Sequence, residues 1–119
     1  MNRTLFFLSC LVFGLFNAGT AKSQTNDPKK DIETGKALIS KSDCCACHKP
    51  DGRLVGPSYA EIAKKYTASD ANITLLSGKV IKGGSGTWGQ IPMAAHPKVS
   101  QTDAKKMVRY ILSQSSAKK

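Results

Sequence analysis

Five adjacent residues, Cys44 to His48, concentrate chemically active side chains and read CCACH. Two residues separate Cys44 from Cys47, and His48 follows at once. Two thiols at this spacing can bond to two vinyl groups on one edge of a flat macrocycle, while the next side chain places an imidazole under the metal. The motif therefore predicts the attachment site of a c-type haem, with Cys44 and Cys47 as thioether residues and His48 as an axial ligand.

The same residue types also serve three other kinds of site, namely a redox pair, a zinc site and a disulfide. A thioredoxin-like redox pair needs a βαβ context, which the sequence does not predict. A zinc site usually draws its ligands from two separated clusters, and no second cysteine cluster follows residue 48. One tetrahedral ion could hardly take four ligands from five adjacent residues. Zinc and a disulfide remain the minor alternatives to haem.

The first residues of the chain predict an export signal. A basic start at Arg3 precedes an apolar run at residues 5–16 and small residues up to Ala21. The run is too short for a membrane-spanning helix and is typical of a secretory signal peptide. Lipidation at Cys10 is a minor alternative, because the apolar segment before it is short. We predict a signal peptide at residues 1–21, a flexible leader at 22–30 and one domain at 31–119.

The charge balance indicates the kind of partner. The chain of 119 residues has a formal charge of +10, which falls to +9 when cleavage at residue 21 removes Arg3. Nucleic acid is a partner that an exported protein seldom meets, so we expect an acidic redox partner or loose contact with an anionic membrane surface. The alternative is that the basic surface only keeps the protein soluble.

Hydrophobic periodicity predicts helices and no strand, which makes the fold class all-α. The predicted helices cover residues 31–41, 58–66, about 70–82 after a cap at Ser69 or Asp70, and 101–114. Gly35 lies inside the first helix, where we expect another helix to approach closely. The predicted inward residues are Ile32, Gly35, Leu38, Ile39, Tyr59, Ile62, Ala63, Ile73, Leu76, Val80, Ala104, Met107, Val108, Tyr110 and Ile111.

The second axial position of the iron has several candidate ligands besides an open site. Met107 falls at core spacing in the last predicted helix, which favours packing. His96 would give a haem with two histidine ligands. Met93 ends the stretch 88–93, which Gly and Pro can bend over a flat cofactor. A thioether ligand at this position would raise the reduction potential.

Two further motifs are VGP at residues 55–57 and GTWGQIPM at residues 86–93. Together with CCACH they resemble the small monohaem class I cytochromes c of bacteria, over about residues 32–114. The resemblance implies a class I cytochrome c fold, four to five helices wrapped around one covalent haem c. It also implies a periplasmic electron carrier rather than an enzyme, with redox proteins as donor and acceptor.

The resemblance implies roles for single residues. Met93 would be the axial ligand opposite His48. The Pro57 carbonyl would accept the His48 N–H and fix the tautomer of the ring. Trp88 would donate its indole N–H to a haem propionate, which Lys79 would also contact. Gly35 and Tyr110 match the crossing of the first and last helices.

Two features depart from the family pattern. Residues 94–96 read AAH, where the family often has Pro and an Asn that donates to the ligand sulfur. His96 is therefore expected either to donate to Met93 or to lie exposed in a loop. Cys45 is a third thiol, which we do not expect to carry haem, because only one residue separates it from Cys47. In an oxidising compartment it would be shielded or would link two molecules.

The sequence thus predicts a periplasmic, monomeric, single-haem electron carrier with both axial positions filled. Lys41, Lys49 and Arg53 neighbour the haem motif and would steer an acidic partner, unless they are ordinary solvated charges. One alternative is the haem subunit of a larger dehydrogenase or oxidase. Another is an enzyme or sensor with an open iron site.

Overall fold

The computed structural model describes residues 27–117 of the chain. The predicted signal peptide, residues 1–21, lies outside the described residues. The elements are the helices α1 (Pro28–Ser40), α2 (Tyr59–Lys65), α3 (Asp70–Lys82) and α4 (Gln101–Ser113), the strands β1 (Gly84–Gly86) and β2 (Gly89–Met93), and short 3₁₀ helices at Asp43–Ala46 and Gln114–Ala117. None of the described helices is long and apolar enough to cross a membrane.

Polar caps set where the helices begin. Serines at positions 58, 69 and 100 each accept a hydrogen bond from a backbone N–H in the first turn that follows. Helix α1 begins at Pro28, with Asp27 as its cap, rather than at Asp31 as predicted. The predicted leader is therefore corrected at residues 28–30. Proline suits the first helical position, because its missing N–H would have no partner there.

Helices α1 and α4 cross with backbone against backbone. Gly35 is buried, and a Cβ atom added to it would overlap the carbonyl group of Lys106. Only glycine therefore permits this approach, as the sequence predicted. Tyr110, in α4, makes an edge-to-face contact with Tyr59 at a centroid distance of 6.0 Å.

Two apolar clusters form the core. The first lies between α3 and α4 and consists of Ile73, Val80, Ala104, Val108 and Leu112. The second joins α1, α2 and α4 and consists of Ile39, Tyr59 and Met107. Leu112 was not predicted to face inward, yet it is only 2% exposed, whereas Ile111 is half-buried.

The strands β1 and β2 form an antiparallel pair that the sequence did not predict. Gly84 is opposite Met93 and Gly86 is opposite Gly89, with an irregularity between the two pairs. Glycine and proline are rare in strands, and the exposed residues here give no alternating apolar pattern. The prediction of no strand is therefore wrong for the β1–β2 pair, which we call the ribbon. The fold remains mostly helical.

Candidate functional site

A cavity of about 480 Å³ lies between the helices and the ribbon. Its size falls within the usual range for cofactor and ligand sites, roughly 300–1,000 Å³. It brings together all the site residues predicted from the sequence. The predicted residues that line it are Cys44, Cys47, His48, Pro57, Lys79, Trp88 and Met93.

The haem motif folds into a tight turn. The Ser42 hydroxyl accepts a hydrogen bond from the Cys44 N–H at the start of the 3₁₀ helix. The backbone N–H groups of Cys47 and His48 then donate to the Cys44 carbonyl at 3.2 and 2.9 Å. This turn directs Cys44, Cys47 and His48 to the same cavity. Within the described chain the three cysteines are free thiols, so both predicted thioether residues remain available.

One hydrogen bond fixes the chemistry of His48. Its Nδ1 lies 2.7 Å from the carbonyl oxygen of Pro57. Because a carbonyl only accepts, the hydrogen belongs on Nδ1, and the neutral ring keeps its lone pair on Nε2. A neutral imidazole with a free nitrogen is the form that binds a metal ion. The contact that the family resemblance implied between Pro57 and His48 is thus present.

Two neighbours confine the His48 ring. A Cβ atom at Gly56 would lie 2.5 Å from Cε1 and 2.9 Å from Nδ1 of His48, so a side chain there would displace the ring. The Tyr59 ring stacks on His48 at 6.2 Å and an interplanar angle of 24°. The sequence pointed to the VGP motif, but neither of these steric roles was predicted. The position of Gly56 directly before Pro57 was the signal that could have shown its role.

Tyr59 is buried down to its hydroxyl. The residue is 3% exposed, and the hydroxyl has no hydrogen-bond partner among the described residues. Burial raises the pKa of this hydroxyl above its usual value of 10.0, and the thiols of Cys45 and Cys44 raise it further. The group is therefore neutral at physiological pH and adds no charge beside His48.

Cys45 contacts α1 and lies outside the described lining of the cavity. Its Sγ lies 3.9 Å from the Ile39 carbonyl oxygen and is partly buried, although the residue as a whole is exposed. This placement separates it from Cys44 and Cys47. It supports the prediction that Cys45 does not carry the cofactor.

Met93 and Trp88 face the cavity from the ribbon. Met93 ends β2, is half-buried and packs against the α3–α4 cluster. Its backbone lies so close to Gly83 that a Cβ atom there would overlap the Met93 carbonyl oxygen. Trp88 lies in the turn that connects β1 to β2. Lys65 Nζ lies 5.4 Å and Arg53 Cζ 5.9 Å from the centroid of its ring.

His96 differs from both expectations for it. Its Nε2 lies 3.0 Å from Asp43 Oδ1, and its Nδ1 lies 3.3 Å from the Val80 carbonyl oxygen. With both ring nitrogens directed at these oxygens, neither remains for Met93. The side chain is 19% exposed, so it is not an open loop residue either. The other candidate ligand, Met107, is buried in the core as predicted, and it also lines the cavity.

The zinc alternative loses support from the geometry. No three His, Cys, Asp or Glu side chains in the described part of the chain converge as metal ligands would. The two thiols and the imidazole instead line a wide cavity with mainly apolar walls. That arrangement fits a large flat group bonded at one edge.

Comparison with known proteins decides the family. The family model described as cytochrome c matches residues 32–115. The chain belongs to the cytochrome c family. Cytochrome c-551 of Azotobacter vinelandii is 42% identical over 80 residues, which cover 67% of this chain and 96% of that protein. Cytochrome c-552 of Nitrosomonas europaea is 45% identical over 75 residues, or 63% of this chain and 73% of that protein.

A solved cytochrome c has the same fold. The crystal structure of wild-type Nitrosomonas europaea cytochrome c552 aligns with a TM-score of 0.62 and 43% sequence identity. The alignment covers 66% of this chain and 98% of that one. This chain is thus a small bacterial monohaem cytochrome c of class I. It takes one covalent haem c and is an electron carrier rather than an enzyme.

Proposed function

We propose that this cytochrome c is a periplasmic electron carrier whose haem iron is held by His48 and Met93. The main support is the placement of both side chains on one cavity, from segments far apart in sequence. The competing donor His96 is engaged by Asp43 and Val80. Residues 1–21 have the pattern of a signal peptide and support export.

The haem, when bound, supplies one-electron chemistry between Fe(III) and Fe(II). Cys44 and Cys47 would hold its edge through two thioether bonds. His48 offers Nε2, because the Pro57 carbonyl keeps the hydrogen on Nδ1. Met93 contributes a thioether sulfur, which raises the reduction potential. Ligation by both His48 and Met93 would leave the iron no position for a substrate.

The propionate side of the site would be held by Trp88 and Lys79. Both line the cavity; the indole N–H is a donor and the ammonium group is a cation, so both suit a carboxylate. Arg53 and Lys65 flank the indole. Arg53 is also paired with Glu61 at 3.3 Å. The indole therefore lies in a cationic environment that would stabilise a nearby propionate.

The partner would be an acidic redox protein that docks beside the haem motif. Lys41 and Lys49 are exposed on either side of this motif. Arg53 is exposed as well, but its pairing with Glu61 offsets its charge. Lys41 and Lys49 would thus speed association with an acidic surface.

Replacing the proposed ligand tests this assignment. Met93→Ala should abolish the weak sulfur-to-iron charge-transfer band of the oxidised protein and lower the reduction potential, because a sulfur ligand favours Fe(II). Met107→Leu is the matched control, since it removes a core sulfur at similar volume and should keep the band. Retention of the band in Met93→Ala would contradict the proposal.

A further inference from the structure

His96 joins the loop after Met93 to two other parts of the fold. Its backbone N–H donates to the carbonyls of Val80 and Ile81, at 3.2 and 3.1 Å, in the last turn of α3. Its Nδ1 also faces the Val80 carbonyl, at 3.3 Å, and its Nε2 faces Asp43 Oδ1 at 3.0 Å. We call these two side-chain contacts the His96 bridge.

The His96 bridge links the loop that carries Met93 to the haem motif at the lining of the cavity. Asp43 immediately precedes Cys44, while His96 follows Met93 by three residues. Asp43 and His96 are 53 residues apart in sequence, and both line the cavity. The bridge therefore couples the position of Met93, the proposed axial ligand, to that of Cys44, a proposed thioether residue.

The chemistry of the bridge suits a positioning role. The carboxylate of Asp43 and the carbonyl of Val80 are both acceptors, and each faces one nitrogen of the ring. The neutral imidazole donates its single N–H to one of them, and the imidazolium form donates to both. The Asp43 side chain is 75% exposed. Exposed ion pairs contribute little to overall stability. The effect of the bridge should therefore concern where the loop lies more than whether the domain folds.

We propose that His96 is a positioning residue: by bridging Asp43 and Val80 it holds the loop that carries Met93 against the haem motif and strengthens the bond from Met93 to the iron. This inference rests on the proposed ligation by Met93. It assigns His96 a part in the stability of the ligand set without any contact with the iron or the sulfur.

Competition with an external ligand tests the proposal on the oxidised holoprotein. Imidazole is titrated into wild type, Asp43→Asn, His96→Gln and the double variant, and the sulfur-to-iron band reports Met93 ligation. Each single variant should lose the band at an imidazole concentration about two- to fivefold lower than wild type needs. The double variant should lose the band at the same imidazole concentration as the more sensitive single variant, because either change breaks the same bridge.

Two controls separate the bridge from general charge and folding effects. Glu33→Gln removes a carboxylate from an exposed position on α1 and should leave the imidazole midpoint unchanged. Asp43→Glu keeps the carboxylate and should restore much of the wild-type midpoint. The thermal unfolding midpoint, measured alongside, should stay near that of wild type for Asp43→Asn, since an exposed pair adds little stability.

Wild-type midpoints in the single variants would overturn the proposal. Effects of Asp43→Asn and His96→Gln that simply add would also overturn it, because they would indicate independent charge effects. Failure of the underlying ligation would look different. In that case the wild type would lack the sulfur-to-iron band, or Met93→Ala would keep it, whatever the His96 variants do.

Discussion

The His48 ring is positioned by residues close to it in sequence. The Pro57 carbonyl is nine residues away, and the Gly56 N–H donates to the Cys47 carbonyl at 2.9 Å. One short loop thus leaves the space that the ring needs and supplies the acceptor for Nδ1. The orientation of His48, the proposed proximal ligand, therefore depends on single residues of this loop more than on distant packing.

Substitution of Gly56 tests this dependence. In Gly56→Ala the new Cβ atom would lie 2.5 Å from the ring, so the ring must tilt and its hydrogen bond to Pro57 must weaken. We expect the holoprotein to lose roughly 1–3 kcal/mol of unfolding free energy, as overpacked sites do. The reduction potential should rise, because a less basic imidazole stabilises Fe(III) less.

Calorimetry and a redox titration measure these two effects. Gly78→Ala is the control for the reduction potential, since no described atom outside its own helix lies within 4 Å of the added Cβ. Equal stability and potential in Gly56→Ala and wild type would show that the loop can move without affecting the ring.

The residues of the site were predictable to different degrees. Cys44, Cys47 and His48 form one contiguous motif, and the Pro57 contact follows within a short loop. The partners of His96 were not predictable, because Asp43 lies 53 residues away. Periodicity and spacing carry no signal for such a pair. The cap at Asp27 was visible in the sequence, but Pro28 was interpreted as part of a leader.

At the scale of elements, the packing of the helices depends on how closely their backbones approach each other. The α1–α4 crossing requires glycine at position 35, whereas Gly78, in α3, meets no such neighbour. The first glycine is thus needed for packing, and the second has only the conformational cost of glycine in a helix.

Alanine at these two positions should have opposite effects. Gly35→Ala should destabilise the holoprotein by about 1–3 kcal/mol or more, because the Lys106 carbonyl must move. Gly78→Ala should stabilise it by roughly 0.5–1 kcal/mol, through better helix propensity. Denaturant unfolding of both variants measures the difference. Destabilisation of similar size in both would contradict the crossing as described.

The capping box of α2 should make part of the stability depend on pH. The Ser58 backbone N–H, aided by Arg53, holds the pKa of Glu61 below its usual value of 4.5. A carboxylate whose pKa is lowered in the folded state stabilises the folded protein above pH 4.5. This contribution is lost as the pH falls through the pKa of the folded state. Glu61→Gln can keep the cap without titrating.

The unfolding free energy of wild type and Glu61→Gln should therefore be compared across the acid range. The variant should lose stability less steeply below about pH 4.5. Glu33→Gln, for which α1 provides an exposed position, serves as the control and should follow wild type. Parallel curves for wild type and Glu61→Gln would show that the cap does not titrate in this range.

The sequence predicted those elements in which burial of one face makes apolar residues recur at a helical period. The helices at residues 58–66, 70–82 and 101–114 agree closely with α2, α3 and α4, because each buries one face. The ribbon was missed because β1 reads GSG and is fully exposed. Its pairing follows from the chain turning back at Thr87 and Trp88, which leaves no apolar pattern in the sequence.

At the scale of the whole molecule, the excess of positive charge should control how fast the protein associates with its redox partner. The formal charge of +10 becomes +9 if residues 1–21 are removed. Such a charge attracts an acidic partner over a distance set by the Debye length, about 10 Å at 0.1 M salt. The basic surface would act on the rate of association more than on the final affinity.

The rate of electron transfer should consequently fall as ionic strength rises. The measurement is the bimolecular rate constant with an acidic redox protein, over a series of salt concentrations. A neutral small-molecule oxidant is the control and should show a nearly flat dependence. A flat or rising dependence with the acidic protein would mean that the charge does not steer encounter.

The crossing at Gly35 also joins the two ends of the described domain. Helix α1 precedes the CCACH segment, and Lys106 belongs to α4, the last of the four described α-helices. Before α4 docks on α1, the face of α1 around Gly35 has no cover. A haem bonded to Cys44 and Cys47 in the unfolded chain would therefore be enclosed only when α4 docks.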